Sequence, residues 1–271
     1  MKLEIFQVDA FTNKTFGGNP AAVVPLDAWL PDDVMLSIAA ENNLAETAFF
    51  VRNGDVYEIV WFTPTCEIEL CGHATLASSY VIFEELGHDS ETIRFTTRTR
   101  GDLSVTKADG RYVLDFPAYP MRSIEPIAEL TAAENAPLEY FESQGNMLFL
   151  VLDSERTVRE LTPNFRLIEQ LSYREVIVTA KGDTCDFASR MFAPKIGIPE
   201  DPVTGAIHCS LIPFWAERLG NTKLFARQVS ARGGELFCEH VDDRVKIGGN
   251  AVLYLKGEIY VEAAGEKCVA A

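Results

Sequence analysis

The sequence has no surplus of positive charge: 40 acidic residues stand against 24 basic ones, for a formal net charge of −16. Nucleic acid is excluded as a partner, because phosphate backbones demand basic patches, and an anionic membrane surface is disfavoured for the same reason. Long hydrophobic runs are missing as well, and none approaches the ~20 residues that a membrane-spanning helix needs. The six cysteines, Cys66, Cys71, Cys185, Cys209, Cys238 and Cys268, show no C-x-x-C spacing, so they are expected as free thiols in a reducing compartment. Only Cys66, Cys71 and His73 lie close together in sequence. That is thin for a zinc site, so the thiols are read as small buried hydrophobes, with no metal or cofactor expected. There is no low-complexity segment. The first ten residues alternate and carry acids, unlike a signal peptide, and a cytoplasmic location is expected.

A short cassette is present twice. The first copy holds Phe62-Thr63-Pro64, then Ile68-Glu69-Leu70-Cys71-Gly72-His73-Ala74-Thr75, and closes at Gly87; the second holds Phe192-Ala193-Pro194, then Asp201-Pro202-Val203-Thr204-Gly205-Ala206, and closes at Gly220. In each copy a glycine opens an apolar run and another ends it fifteen residues later, and the copies lie 133 residues apart. The pattern predicts a loop, a buried helix and a glycine stop, repeated in two similar halves. Helix N-termini attract carboxylates, so two such ends facing a common cleft could grip one small acid.

At 271 residues the chain can form two domains. The first half reads as strands at 3–8, 21–24, 45–51 and 57–62, the last two joined by a hairpin turn at Asn53-Gly54. A helix is expected over 31–42, a buried helix over 76–83, and further strands over 93–116. Residues 117–137 hold four prolines and read as a linker with a short helix around 127–134. The second half repeats the plan: strands at 147–152, 176–179 and 187–192, a helix over 164–171, a buried helix over 205–219, and strands from 225 to the end. The expected architecture is α+β: two related domains, each a curved, mostly antiparallel, barrel-like sheet around one central helix, with the active site in the cleft between them. The domains are set at 1–118 and 119–255, with the C-terminal strand, about 256–271, a candidate to complete the first.

Four positions could carry chemistry. Glu46 lies among alanines and phenylalanines, where poor solvation would raise its pKa and suit it to take and return a proton; otherwise it is a strand glutamate facing water. His73, just after Gly72, could bind a carboxylate or relay a proton, or simply bond nearby backbone. Asp201 could accept a hydrogen bond from a substrate amine or hydroxyl, or order its own turn. Cys71 and Thr204 hold equivalent places before the two glycines. Two thiols there would make a symmetric two-base racemase, but threonine is a poor acid or base, which leaves Cys71 as a packing residue or a single base.

These blocks resemble the PhzF family of phenazine biosynthesis-like proteins, a relative in fold of diaminopimelate epimerase and proline racemase. The matching segments are Val8-Asp9-Ala10-Phe11-Thr12, Gly17-Gly18-Asn19-Pro20, Asn43-Leu44-Ala45-Glu46-Thr47, Phe62-Thr63-Pro64 and Leu70-Cys71-Gly72-His73-Ala74-Thr75-Leu76. In the second half they are Phe192-Ala193-Pro194, Glu200-Asp201-Pro202-Val203-Thr204-Gly205 and His208-Cys209. The resemblance implies a diaminopimelate epimerase-like fold, a homodimer, and cofactor-free acid–base isomerisation of a small amino acid or cyclic carboxylate. It assigns catalysis to Glu46, His73 and Asp201, with Glu46 as the proton shuttle. It assigns substrate binding to Asn19, Gly72, Thr204, Gly205 and Ala206. Many relatives carry serine or another small polar residue where this chain has Ala206. A hydroxyl contact is therefore expected to be missing, which counts against the phenazine precursor itself as substrate. Two alternatives remain open: a racemase or epimerase using Cys71 or Glu46 with a second base, and a non-catalytic small-molecule-binding protein.

Overall fold

The computed structural model describes residues 1–131 and 136–262. It is an α+β structure dominated by strands, and it divides into two compact units: Met1–Thr15 with Pro20–Leu114 and the chain from Ala251 onward, and Phe16–Asn19 with Asp115–Asn250.

The first unit runs β1 (Lys2–Ala10), β2 (Asn19–Leu26), α1 (Asp32–Asn42), β3 (Glu46–Asn53), β4 (Val56–Phe62), β5 (Glu67–Ile68), α2 (Gly72–Tyr80), β6 (Thr92–Thr97), β7 (Asp102–Ala108) and β8 (Arg111–Pro117). Most neighbours are antiparallel, but β2 pairs parallel with β3 and β4 parallel with β6. A parallel pair cannot be joined by a tight turn and needs a crossover; α1 supplies the first and α2 the second. Alternation along β3 sorts its side chains. Phe49 packs with Val24, Val60, Phe62, Met35 and Ile38 under α1, so Glu46, Ala48 and Phe50 point to the opposite face, where α2 packs against β1 and β3.

All residues of α2 from His73 to Ser79 are buried, as expected of a helix apolar nearly all round. Its hydroxyls are satisfied by their own helix: Thr75 donates to the Cys71 carbonyl at 2.5 Å, and Ser78 and Ser79 donate four residues back at 2.8 Å. The helix continues as a π-helical turn, Val81–Glu85, before Gly87 leaves it at φ +67°. The hairpin between β3 and β4 differs by one residue from expectation. Asn53 pairs with Val56, so the two-residue loop is Gly54-Asp55, and only Gly54 has positive φ, +63°. Positive φ at the first loop position alone is the pattern of a type II′ turn, which places glycine first.

The second unit contains β9 (Arg122–Ser123), α3 (Ala128–Thr131), β10 (Glu139–Ser143), β11 (Met147–Val151), α4 (Glu155–Glu160), α5 (Phe165–Gln170), β12 (Glu175–Lys181), β13 (Phe187–Ala193), β14 (Ile198–Asp201), α6 (Gly205–Leu219), β15 (Lys223–Gln228), β16 (Gly234–Val241) and β17 (Arg244–Gly249). The segment read as a linker thus carries β9 and α3; residues 132–134 of the expected helix lie outside the described residues, as does Cys268. Here β11 pairs parallel with β12 and β13 parallel with β15, with α4–α5 and α6 as the crossovers. Leu148, Val176, Val178 and Phe192 pack with Val158 of α4 and Ile168 of α5. On the opposite face Trp215 of α6 stacks on Phe187 at 5.9 Å and donates its indole N–H to Thr179 at 3.0 Å. Pro213 lies inside α6 and has no N–H to give to Cys209; the Tyr119 N–H takes that carbonyl instead, at 2.9 Å.

The chain then returns to the first unit as β18 (Ala251–Tyr260), which pairs antiparallel with β1 along its length, from Lys2 against Tyr260 to Ala10 against Ala251. The two units therefore share one strand plan, in which β9 lies beside β10 as β18 lies beside β1.

His208, one turn into α6, is fully buried; its Nδ1–H donates to the Thr204 carbonyl at 2.8 Å and its Nε2 has no hydrogen-bond partner among the described residues. Burial pushes its pKa down to about 4. The imidazole is thus neutral in the folded chain but charges near pH 6.5 once unfolded, so the unfolded state binds the extra proton and stability falls with acidification. Between pH 7 and pH 4, wild type should lose about 3 kcal/mol more unfolding free energy than His208→Asn, whose amide can keep the Thr204 bond; urea denaturation at the two pH values measures the difference.

Candidate active site

Two polar clusters form, one in each unit. In the first unit, Glu46 opens β3 on the face turned to α2, and His73 is the second residue of α2. Their side chains meet: His73 Nε2 lies 3.0 Å from Glu46 Oε2. The approach is close but not aligned as a linear hydrogen bond, so we treat it as an ion pair. Cys71 precedes the helix in an extended conformation, φ −139°, and makes no side-chain cap. That backbone brings its Sγ to 3.5 Å from His73 Nδ1. Thiol, imidazole and carboxylate form a buried row, with 6, 5 and 7% of each residue exposed. Burial pushes the Cys71 thiol up, and the Glu46 carboxylate beside it adds to that. Burial alone would push His73 down, but Cys71 and Glu46 outweigh it and hold the imidazole well above its ordinary range. Cys66 is not part of this row; it is exposed and bonded within its own loop to Thr63.

The second cluster surrounds the start of α6. Asp201 Oδ1 accepts from Asn19 Nδ2 at 2.8 Å, and the same amide nitrogen reaches the Val203 carbonyl at 2.9 Å. Asp201 Oδ2 accepts from the Thr204 hydroxyl. Thr204 is the residue before the helix and makes no side-chain cap; its N–H is taken by Gln228 Oε1 at 2.8 Å, while Gln228 Nε2 donates to the Asp201 carbonyl at 2.8 Å. Asn19 and Gln228 are both fully buried. Arg232 holds the segment that carries Asn19 through the Gly17 and Gly18 carbonyls, at 2.8 and 2.9 Å.

The expected residues therefore fall into two groups. Glu46, Gly72 and His73 come together with Cys71; Asn19, Asp201, Thr204 and Gly205 come together with Gln228. Ala206 is exposed on the first turn of α6 and brings no polar group. In this arrangement Asp201 orders its own turn. Gln228 was not legible, since it ends a strand with no motif around it. Glu175 was missed too. Thr47 pairs with Phe62 as Val176 pairs with Phe192, so Glu175, opening β12, holds the position in the second unit that Glu46 holds in the first. It is buried, and burial raises its pKa, with Arg174 opposing and Asp201 adding. The sequence offset hides it: Phe62 and Phe192 lie 130 residues apart but Glu46 and Glu175 lie 129 apart, so only the strand register brings out the equivalence.

The fold is epimerase-like, α+β and dominated by strands, with a buried row of thiol, imidazole and carboxyl at the start of one enclosed helix. The chain belongs to the phenazine biosynthesis-like protein family, whose PhzC-PhzF model matches residues 8–257. A relative from Pseudomonas aeruginosa called an uncharacterized isomerase is 49% identical over 259 residues, covering 96% of this chain and 99% of its own. A crystal structure of a PhzF-family protein from Enterococcus faecalis is 49% identical, with TM-score 0.93, covering 96% of this chain and all of that one. A hydroxyproline epimerase from Agrobacterium vitis, solved with trans-4-hydroxy-L-proline, shares the fold at 9% identity and TM-score 0.61, over 97% of this chain and 94% of its own. Among the described residues no helix is long and apolar enough to cross a membrane.

Asn19→Ala removes the donor shared by the Asp201 carboxylate and the Val203 carbonyl and leaves both buried. It should cost about 1–3 kcal/mol of stability, read by urea denaturation at pH 7.

Proposed function

We propose that the protein is a cofactor-independent isomerase that moves a proton on a small amino acid or cyclic carboxylate, with Glu46 as the acid–base group. One observation carries this reading: the Glu46 carboxyl is buried 3.0 Å from the His73 imidazole, which Cys71 and Glu46 hold well above its ordinary pKa range. A carboxylate so placed keeps a lone pair for a substrate C–H, and the imidazolium beside it steadies the negative charge that develops when the proton leaves. The same carboxyl group then returns the proton to another carbon. The opening turns of α2 at Gly72 and of α6 at Thr204-Gly205-Ala206 are assigned to substrate carboxylate, since neither preceding residue caps its helix. Asp201, held by Asn19 and Thr204, is assigned to a polar group of the substrate. A homodimer belongs to this reading through the family resemblance, and a cytoplasmic location through the alternating, acidic N-terminal pattern.

A second reading, a two-base epimerase, is favoured by one observation: Glu175 occupies the register position equivalent to Glu46 and is buried like it. That reaction needs two bases, one for each face of the reacting carbon, where a single shuttling carboxyl suffices for the isomerase.

The test is incubation with a panel of amino acids and dihydroaromatic acids in deuterium oxide, followed by NMR and mass spectrometry. Uptake should occur with wild type and fall about 10²–10⁴-fold in Glu46→Gln. Uptake that survives in Glu46→Gln moves the base to Cys71. Inversion at a single carbon that is lost in Glu175→Gln establishes the epimerase. No uptake from any compound favours the binding protein.

A further inference from the structure

The row at the start of α2 has chemistry that a proton shuttle does not need. A carboxyl with an imidazole suffices for acid–base work, yet the third member is a thiol. Donor atoms of Glu46, Cys71 and His73 all lie within 4.8 Å of one another, and all three residues are buried. They come from two fixed elements, the first residue of β3 and the residues flanking the first position of α2, so the spacing is set by the fold and not by a mobile loop.

That spacing fits one class of ion. In a tetrahedral zinc site, sulfur at ~2.3 Å and nitrogen at ~2.0–2.1 Å stand roughly 3.5 Å apart. Cys71 Sγ and His73 Nδ1 are already 3.5 Å apart. Glu46 stands at the other ring nitrogen, where it can orient the imidazole as carboxylates do beside metal-bound histidines, and its carboxyl lies within 4.8 Å of the other donor atoms, close enough to turn in as a third ligand. Thiolate and imidazole together select zinc or cobalt over magnesium and calcium, which prefer oxygen. A thiolate and a carboxylate also balance a divalent charge, so the filled site is neutral where it is buried. At least one position stays open, as in zinc sites that exchange water or ligand.

We propose that Glu46, Cys71 and His73 form a binding site for zinc, and that its occupation switches off proton transfer by engaging Glu46. On binding, the Cys71 thiol and the His73 imidazolium each give up one proton to solvent, so the metal meets a thiolate and a neutral imidazole, and the Glu46 carboxylate is no longer free to take a proton. The binding half of the proposal stands without any assigned reaction; the inhibitory half rests on the function proposed above.

The experiment is cobalt(II) titration of the untagged full chain, followed by absorbance, with zinc competition by calorimetry. The expected result is one equivalent bound, a sulfur-to-cobalt charge-transfer band, and intense visible bands of tetrahedral cobalt. Zinc should displace the cobalt. Cys71→Ser should abolish the charge-transfer band, and Glu46→Gln should weaken affinity by about tenfold or more, with circular dichroism confirming that both variants fold. Cys66→Ser, which removes an exposed thiol outside the row, should leave everything unchanged. No charge-transfer band in folded wild type overturns the proposal, as does a band that survives Cys71→Ser or disappears with Cys66→Ser. Where deuterium uptake is found, one equivalent of zinc should stop it and a chelator should restore it. Uptake that continues with zinc bound overturns the inhibitory half. A complete lack of uptake counts against the proposed function alone, because the cobalt spectrum still decides the site.

Discussion

A parallel pair of strands cannot be closed by a turn, and the rest of this structure follows from how the chain meets that constraint. Each unit contains two parallel pairs, and the second of them is bridged by a helix that lies against one face of the sheet. Because strands and their covering surround it, that helix must be apolar on nearly every side, and its few hydroxyls must bond to their own backbone, as Thr75, Ser78 and Ser79 do. A helix enclosed in this way has a fixed start. Gly72 and Gly205 mark those starts, and the residues around them are held beside the strand ends that neighbour them.

The same constraint places the polar groups. Glu46 is the first residue of β3 on the face turned to α2, so it meets the second residue of that helix. Glu175 is set by the same register on β12. What differs is what each helix start presents. In the first unit a thiol and an imidazole meet the carboxyl. In the second, threonine and alanine replace them, and the polar groups go into holding the turn: Asn19, Thr204 and Gln228 all bind Asp201 or its neighbours. The pseudo-symmetric frame thus carries two chemically unlike ends, one suited to proton transfer or a soft metal and one suited to rigid hydrogen bonding.

Much of the frame was legible. Alternation marked β1, the Asn53-Gly54 turn signal marked β3 and β4, the apolar run marked α2, and the repeated glycines marked both buried helices with their stops. Glu46 and His73 were legible as candidates, because a lone acid in an apolar strand and a histidine at a helix start are unusual. The short elements between residues 117 and 160 were not, because β9, β10 and α4 carry too few residues for a period to show. Pro213 reads as a helix breaker, yet α6 runs through it because a distant N–H, that of Tyr119, takes the carbonyl it leaves unpaired.

By itself, then, the sequence determined the two halves, the buried helices and the residue types able to do chemistry, since these depend on local period, glycine stops and the chemistry of single side chains. Only the tertiary structure decided which of those side chains meet. Strand register turned Glu46 toward α2, and the extended backbone at Cys71 laid its thiol against His73. Burial pushes both His73 and His208 down, but Cys71 and Glu46 outweigh it at His73 and nothing does at His208, although both are histidines near the start of a buried helix. The physical reason is that a charge in a dry interior is governed by its nearest partner. His73 has a carboxylate beside it, whereas His208 has a backbone carbonyl and an aromatic ring, and that difference is made by residues far apart in the chain.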